Sequence, residues 1–421
     1  MALPDDILTE VFSYLPAKSA GRFRALSRSW RADLTSAFFV QLHRRRANKP
    51  GQVKLFFGTI DSSKEESYFY TWQPGGAVQK LMPNNFYLPT PLNKPLHGLV
   101  LIRGFEDEGY CICNPSTSAV LALPDSERPS KMIYRCSPKL PFYVHVAYSF
   151  GYCSVTGDYK AVRIFSRVGH EDDEYSLVLC EVFVLDKLAH WRPTAHQPHV
   201  CIVKENNPGV FLNGCLHFLC HDGGIITFDV CRETFSSVLP PPNPQDARTK
   251  MTELEGFLCI CHGQTNYVDG TYHIWLLRNY KQRKWEQLCC IDPAAWTEPE
   301  RLHLQSYLIA PFHIYNNDGG QKKVLFATGT CEVFALDVPS CATPEILLCA
   351  TEEISCSIDD SSDPALGLFE ESLVHVGRTI EEMVMSSPIT KAWFDILKWM
   401  PTQSVVELSL VCREMARNGQ G

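Results

Sequence analysis

Two short runs carry residue types that could hold a metal: Cys215-Leu216-His217-Phe218-Leu219-Cys220-His221 and Cys259-Ile260-Cys261-His262. Thiolates and imidazoles are the usual ligands of a structural zinc, but four of them must converge on one point, which a knuckle of turn residues provides. In an extended strand successive side chains point to opposite faces. Residues 215 and 217 would then share a face while 220 and 221 would not, and the residues between are apolar. The pattern favours buried strand residues over ligands. Carboxylates cluster at Glu106-Asp107-Glu108 and Asp172-Asp173-Glu174. An acid–base pair needs a closed site that sets the two groups apart in pKa; these runs sit among turn residues and read as solvated loops. There is no G-x-S-x-G, G-x-x-x-x-G-K-[ST], H-E-x-x-H or G-x-G-x-x-G. No catalytic residue, metal ligand or cofactor is assigned, and the chain is not expected to be an enzyme.

The elements around these runs differ along the chain. The 421 residues allow two or three domains, and 45% hydrophobic with 20% charged residues is ordinary globular composition. The net charge is −8, which argues against a general nucleic-acid binder. It is unevenly spread: residues 1–50 carry nine Lys/Arg and four Asp/Glu, net +5, leaving −13 for the rest. No apolar run approaches the roughly 20 residues of a membrane helix. The first ten residues hold Asp5, Asp6 and Glu10 without a basic residue, the opposite polarity to a secretory signal. The 18 cysteines contain no C-x-x-C pair, and no usable glycosylation sequon is present, so reduced thiols in the cytoplasm or nucleus are expected.

Residues 3–46 show helical periodicity. Ile7, Leu8, Val11, Phe12 and Leu15 form one apolar face, and Pro16 stops the helix. Ser19 is placed to cap a second helix that brings Phe23, Leu26 and Trp30 to one side, and a third helical piece spans roughly 31–46. From 52 to 350 the period changes to short β-rich runs between Gly, Pro and acidic loops. Glu181–Asp186 nearly recurs as Glu332–Asp337, and Ile225–Asp229 is a looser copy; each is a strand ending at Asp. Turns at 72, 114, 186, 229, 279 and 337 have a mean spacing of about 53 residues. That fits about six four-stranded propeller blades; the competing arrangement is a twisted β-sandwich. An acidic, Ser-rich linker is expected at 351–378, and helical periodicity returns at 379–421 as a hairpin with Ile389, Trp393, Ile396, Leu397 and Met400 in its first helix.

Residues 1–46 resemble an F-box. The residues that carry the resemblance are Leu3-Pro4-Asp5-Asp6, then Glu10–Pro16, then Arg22–Trp30; Leu26-Ser27 stands where the family usually has Val-Cys. The middle is similar to plant F-box-associated domains of type 3. It carries His97-Gly98-Leu99, Asn114-Pro115-Ser116-Thr117, Gly151-Tyr152, Thr156–Lys160, Phe211–Phe218, Phe228-Asp229 and Ile274–Leu277 in family order. The C-terminal hairpin resembles a second, degenerate F-box: shifted by 385, Leu15-Pro16 falls on Met400-Pro401, Phe23 on Leu408 and Arg28 on Arg413. The resulting expectation is an α+β multidomain chain: a three-helix F-box, an all-β propeller-like body of about six blades at 52–350, and a C-terminal helical hairpin.

The resemblance implies the substrate receptor of an SCF-type cullin–RING ubiquitin ligase. Leu3, Pro4, Ile7, Leu8, Leu15, Pro16, Leu26 and Trp30 would form or support the surface for a Skp-family adaptor, with Phe12 and Phe23 most inward. The β body would hold an unidentified target protein through residues left unassigned. Neither nucleic acid nor membrane is implied as a partner. The alternative is an adaptor-binding scaffold with no role in degradation.

Overall fold

The computed structural model describes residues 5–24, 26–49, 52–61, 66–73, 76–84, 90–91, 94–103, 110–124, 143–168, 178–187, 190–198, 202–204, 208–242, 249–263, 271–297, 310–316, 319–327, 333–338, 345–348 and 366–377. Six four-stranded antiparallel sheets follow one another along the chain. Blade 2 comprises Thr90–Pro91, Val100–Arg103, Tyr110–Asn114 and Ala119–Ala122. Blade 3 comprises Tyr143–Cys153, Asp158–Val168, Val178–Val184 and Arg192–Pro193. Blade 4 comprises Val210–Leu212, Cys215–Leu219, Ile225–Asp229 and Thr234–Val238. Blade 5 comprises Lys250–Leu254, Phe257–Gly263, Tyr272–Asn279 and Lys284–Ile291. Blade 6 comprises Ala310–Asn316, Lys322–Ala327, Val333–Asp337 and Glu345–Leu348.

Blade 1 is composite. Its Leu55–Asp61, Glu66–Trp72 and Gln79–Asn84 are joined by Leu366–Leu368, which pairs antiparallel with Leu55–Phe57. Here the structure departs from the sequence expectation: the stretch read as linker, 351–378, contains the strand that closes the ring. Beyond that strand, Phe369, Ser372, Leu373 and Val376 are buried.

The spacing argument lands on one structural position. Trp72, Asn114, Asp229, Asn279 and Asp337 each end the third strand of a blade in spatial order, and Asp186 lies two residues past the third strand of blade 3. The aromatics that follow sit in or beside the fourth strands, with Phe235 opposite Phe228 and Trp285 opposite Leu277.

Strand alternation builds the core. Each blade is covered on both faces, so its strands need apolar residues at consecutive positions. In blade 5, Leu258 and Ile260 pack toward blade 4, while Cys259 and Cys261 pack toward blade 6. In blade 1, Phe56 packs toward blade 2, and Leu55 and Phe57 pack toward blade 6. Six such seams close the circle, each with its own apolar cluster. The two cysteine-histidine runs belong to these strands. His217 spends its ring nitrogens on the Val210 carbonyl (3.1 Å) and the Tyr280 hydroxyl (3.1 Å). Ten cysteines are free among the described residues, but Cys220 takes part in a disulfide, which departs from the expectation of reduced thiols there.

Four helical segments form the head: α1 (Asp5–Phe12), α2 (Ala17–Phe23), α3 (Arg28–Thr35) and α4 (Ala37–Ala47). The sequence suggested one helix through Trp30 and another over 31–46. Serines divide them. Ser27 Oγ accepts from Trp30 N, and Ser36 Oγ accepts from Phe39 N, each starting a new helix. Ser19 lies inside α2, which starts after Pro16.

Candidate functional site

The head has an inner and an outer apolar set. Ala17, Ala20, Leu34, Phe39 and Leu373 are its buried centre, and Phe12, Leu15, Phe23, Trp30 and Val40 pack around them. Phe12 stacks on Phe23 (centroids 4.8 Å apart) and meets Trp30 edge-on (4.8 Å). Leu15 and Trp30 therefore support the surface from within. Ile7 (44% exposed), Val11 (49%) and Tyr14 (68%) form the outer row, four and then three residues apart on and just past α1, and Leu26 (65%) and Phe38 (71%) are also open. Pro16 is exposed and Leu8 half-buried; Leu3 and Pro4 lie outside the described residues.

Val11 and Tyr14 belong with Ile7; the sequence reading places Val11 in one apolar face with Ile7, Leu8, Phe12 and Leu15 and names neither Val11 nor Tyr14 for the adaptor surface. The signal was the i, i+4, i+7 spacing. Phe38 carried no such signal, because it sits beside Phe39, which faces the core. A charged frame fixes the row: Arg46 pairs with Glu10 (2.7 Å), lies 4.3 Å over the Tyr14 ring and donates to Ser13 Oγ. These contacts tie α1 to the end of α4.

The head is seated by residues 369–377. Glu371 Oε1 accepts from Ala17 N (2.5 Å) at the start of α2, where backbone N–H groups have no helical partner. Asn48 Nδ2 donates to Glu371 O and Glu371 N donates to Asn48 Oδ1, both 2.8 Å. Arg24 donates to the Leu34 carbonyl (2.9 Å) and the Leu373 carbonyl (3.1 Å), and Leu373 fills the head core. The other edge of the segment is held by blade 2. Asn114 Nδ2 donates to Ser372 O (3.1 Å) and Val374 O (2.8 Å), and Ser372 N donates to Ser116 Oγ (3.0 Å). Gly98, at φ +84°, approaches so closely that an added Cβ would lie 2.1 Å from Ser372 Cβ. The His97-Gly98 and Asn114-Pro115-Ser116 motifs thus form the seat of the C-terminal segment.

A cavity of about 400 Å³ opens among Lys94, Phe211, Glu253, His313, Leu368 and Glu370, drawn from blades 1, 4, 5 and 6 and the approach to blade 2. Lys94 pairs with Glu253 (2.7 Å), and Lys322 pairs with Glu255 (2.6 Å) at the rim. Burial raises the Glu370 carboxyl above its ordinary range, opposed by Arg44 and the Gly98 backbone. Burial lowers His313, with Lys94 adding to the effect. The lining is largely apolar, and its Lys94 and Glu253 pair with each other. Among the described residues, no helix is long and apolar enough to cross a membrane.

Comparison with known proteins places both parts. The F-box associated beta propeller domain matches residues 47–309, and the F-box domain matches 1–32 and again 390–417. The second F-box match falls on the stretch from which the sequence predicts a helical hairpin, which lies outside the described residues. The propeller match ends before blade 6 and the closing strand. Among relatives, the chain is 22% identical to the F-box protein At2g21930 of Arabidopsis thaliana, over 68% of this chain and 71% of that protein. It is 24% identical to the F-box/kelch-repeat protein At4g19930 (68% and 68%) and 24% identical to the F-box protein DOR (67% and 72%), both from the same plant. A helical head bearing an uncovered apolar row, seated on a six-bladed ring and matched in sequence at both parts, belongs to the plant F-box proteins with an F-box associated β-propeller domain.

Proposed function

We propose that this chain is the substrate-receptor subunit of an SCF-type cullin–RING ubiquitin ligase and acts without chemistry of its own. The observation that carries this reading is the row Ile7, Val11 and Tyr14, left in solvent beside a head core in which Phe12, Phe23, Trp30 and Phe39 pack inward. An amphipathic helix with one apolar face buried and a second face open is suited to docking on a partner groove. The partner in this reading is a Skp-family adaptor. The propeller would hold a target protein close to the charged conjugating enzyme, so that lysine encounter becomes effectively intramolecular. The rigid seat built by Asn48, Glu371 and Asn114 supports this role, because a fixed span is what such positioning requires.

The test is co-purification of the Skp adaptor with wild-type chain and with Val11→Asp combined with Tyr14→Asp. Loss of adaptor with an unchanged melting temperature is expected; undiminished binding overturns the reading. Deleting the head while keeping the propeller should raise the steady-state level of the captured target. A target whose level does not change would favour a non-degradative scaffold.

A further inference from the structure

The seam between blades 3 and 4 is tighter than its apolar cluster requires. Gly151 has no room for a side chain: a Cβ there would lie 2.8 Å from Val230 Cγ2 and 3.1 Å from the Phe211 ring. Lys160 reaches across to the Val230 carbonyl (2.7 Å) and Glu233 (2.7 Å), and Arg192 grips the same Glu233 with two hydrogen bonds. Next to these contacts stand two thiols 78 residues apart in sequence, with Cys153 Sγ and Cys231 Sγ separated by 2.7 Å. A disulfide needs about 2.05 Å, so less than about 1 Å of closure separates the pair from a covalent bond.

The surroundings differ from those of the other cysteines. Burial pushes the Cys111 and Cys261 thiols up to about 12, which makes them inert. Burial also opposes ionisation of Cys153, but hydrogen bonds from Cys231, Thr156 and Val155 outweigh it and bring this thiol down to about 7. The pair lies at the rim. Ser154, Val155 and Thr156 beside Cys153 are exposed, Cys231 is half-buried, and Arg232 after it is exposed.

We propose that Cys153 and Cys231 are a reversible dithiol–disulfide couple that staples blade 3 to blade 4, with a small-molecule disulfide of the glutathione class as oxidant. Burial and the Cys153 sulfur hold the Cys231 thiol above its ordinary range, so the reachable Cys231 passes its proton to the Cys153 sulfur as it attacks one sulfur of the oxidant; the S–S bond breaks, one small thiolate leaves, and it takes that proton from Cys153. The Cys153 thiolate then attacks Cys231 Sγ, the mixed disulfide breaks, and the second small thiolate leaves. Two electrons pass from protein to oxidant, and the two protein S–H protons end on the released thiols. Reduced glutathione runs the sequence backwards. The closed form ties the turn after the first strand of blade 3 to the turn after the third strand of blade 4, and so removes freedom from the seam next to the Lys160–Glu233–Arg192 contacts.

The experiment incubates the full chain in glutathione buffers of increasing oxidised fraction, alkylates the remaining thiols and maps the peptides. The expected result is a cross-linked peptide pairing 153 with 231, with both thiols lost to alkylation together and restored by reduced glutathione, and a higher melting temperature for the closed form. In Cys153→Ser, Cys231 should accumulate as the stable glutathione adduct. The proposal is overturned if both cysteines still alkylate once the exposed Cys290 carries glutathione. It is equally overturned if Cys231 pairs with Cys215, which lies near enough to feel its charge.

Discussion

Asn48 and Glu371 bind each other as two strand residues would: the Asn48 side-chain amide donates to the Glu371 carbonyl and accepts from the Glu371 backbone N–H, both at 2.8 Å. One is the last residue of the head and the other follows the ring-closing strand, 323 positions later. Orientation of head on propeller therefore depends on the ring being closed.

Replacing Asn48 by Ala removes both bonds and leaves a half-buried N–H and carbonyl without partners. The expected cost is about 1–3 kcal/mol, concentrated at the head. Limited proteolysis should release residues 1–48 earlier than in the wild type, while the propeller core keeps its protection. Equal protection of the head in both proteins would refute the seating role.

Inner and outer residues of α1 should separate cleanly. Phe12→Ala empties a site between Phe23 and Trp30 and is expected to destabilise by about 2–3 kcal/mol, below the figure for a fully buried Phe. Val11→Asp, on the open face, should change stability by less than about 0.5 kcal/mol yet abolish adaptor binding. Thermal melts and a binding assay on the two variants check this double dissociation.

Gly98→Ala should damage the seat twice. The positive φ disfavours any side chain by about 1–2 kcal/mol, and the new Cβ meets Ser372 Cβ, adding about 1–3 kcal/mol of overpacking. Denaturant midpoints of Gly98→Ala and of the relaxed pair Gly98→Ala with Ser372→Gly provide the check. Partial rescue in the pair is expected, because only the steric part is removed.

One contribution to the pH dependence of stability comes from His217. Burial, opposed only by the Val210 carbonyl, holds its ring down at about 4. The unfolded chain takes up its proton near 6.5, so the unfolded state binds more protons between those values. Stability from this residue is complete above about pH 6.5 and is lost as pH falls toward 4, by about 3 kcal/mol in all. Melting temperature should fall more steeply between pH 7 and 5 in the wild type than in His217→Gln, which has no proton to gain. Parallel slopes would exclude this residue as the cause.

The sequence by itself determined the division into helical head and β body, and its turn spacing pointed to about six blades, which the ring of sheets then fixed at six. Its third strands end at like turns because each blade must reverse the chain at the same depth. It also marked Phe12 and Phe23 as inward, since both lie on the helical period of their segments. It did not separate Leu15 and Trp30, which support the head, from Val11 and Tyr14, which face outward. The apolar arc of α1 and the turn after it is broad enough to hold two rows, Ile7-Val11-Tyr14 and Leu8-Phe12-Leu15, and periodicity cannot choose between adjacent rows; Ala17, Ala20, Leu34 and Leu373 chose by packing. Nor did the sequence reveal the closing strand, because Leu366-Gly367-Leu368 is too short to carry a period. Its identity comes from the unpaired edge of Leu55–Phe57, a partner supplied from the far end of the chain. The nearness of Cys153 and Cys231 was likewise a matter of blade packing. Local spacing records what a segment can form, whereas long-range pairing depends on backbone edges and volumes that no local window contains.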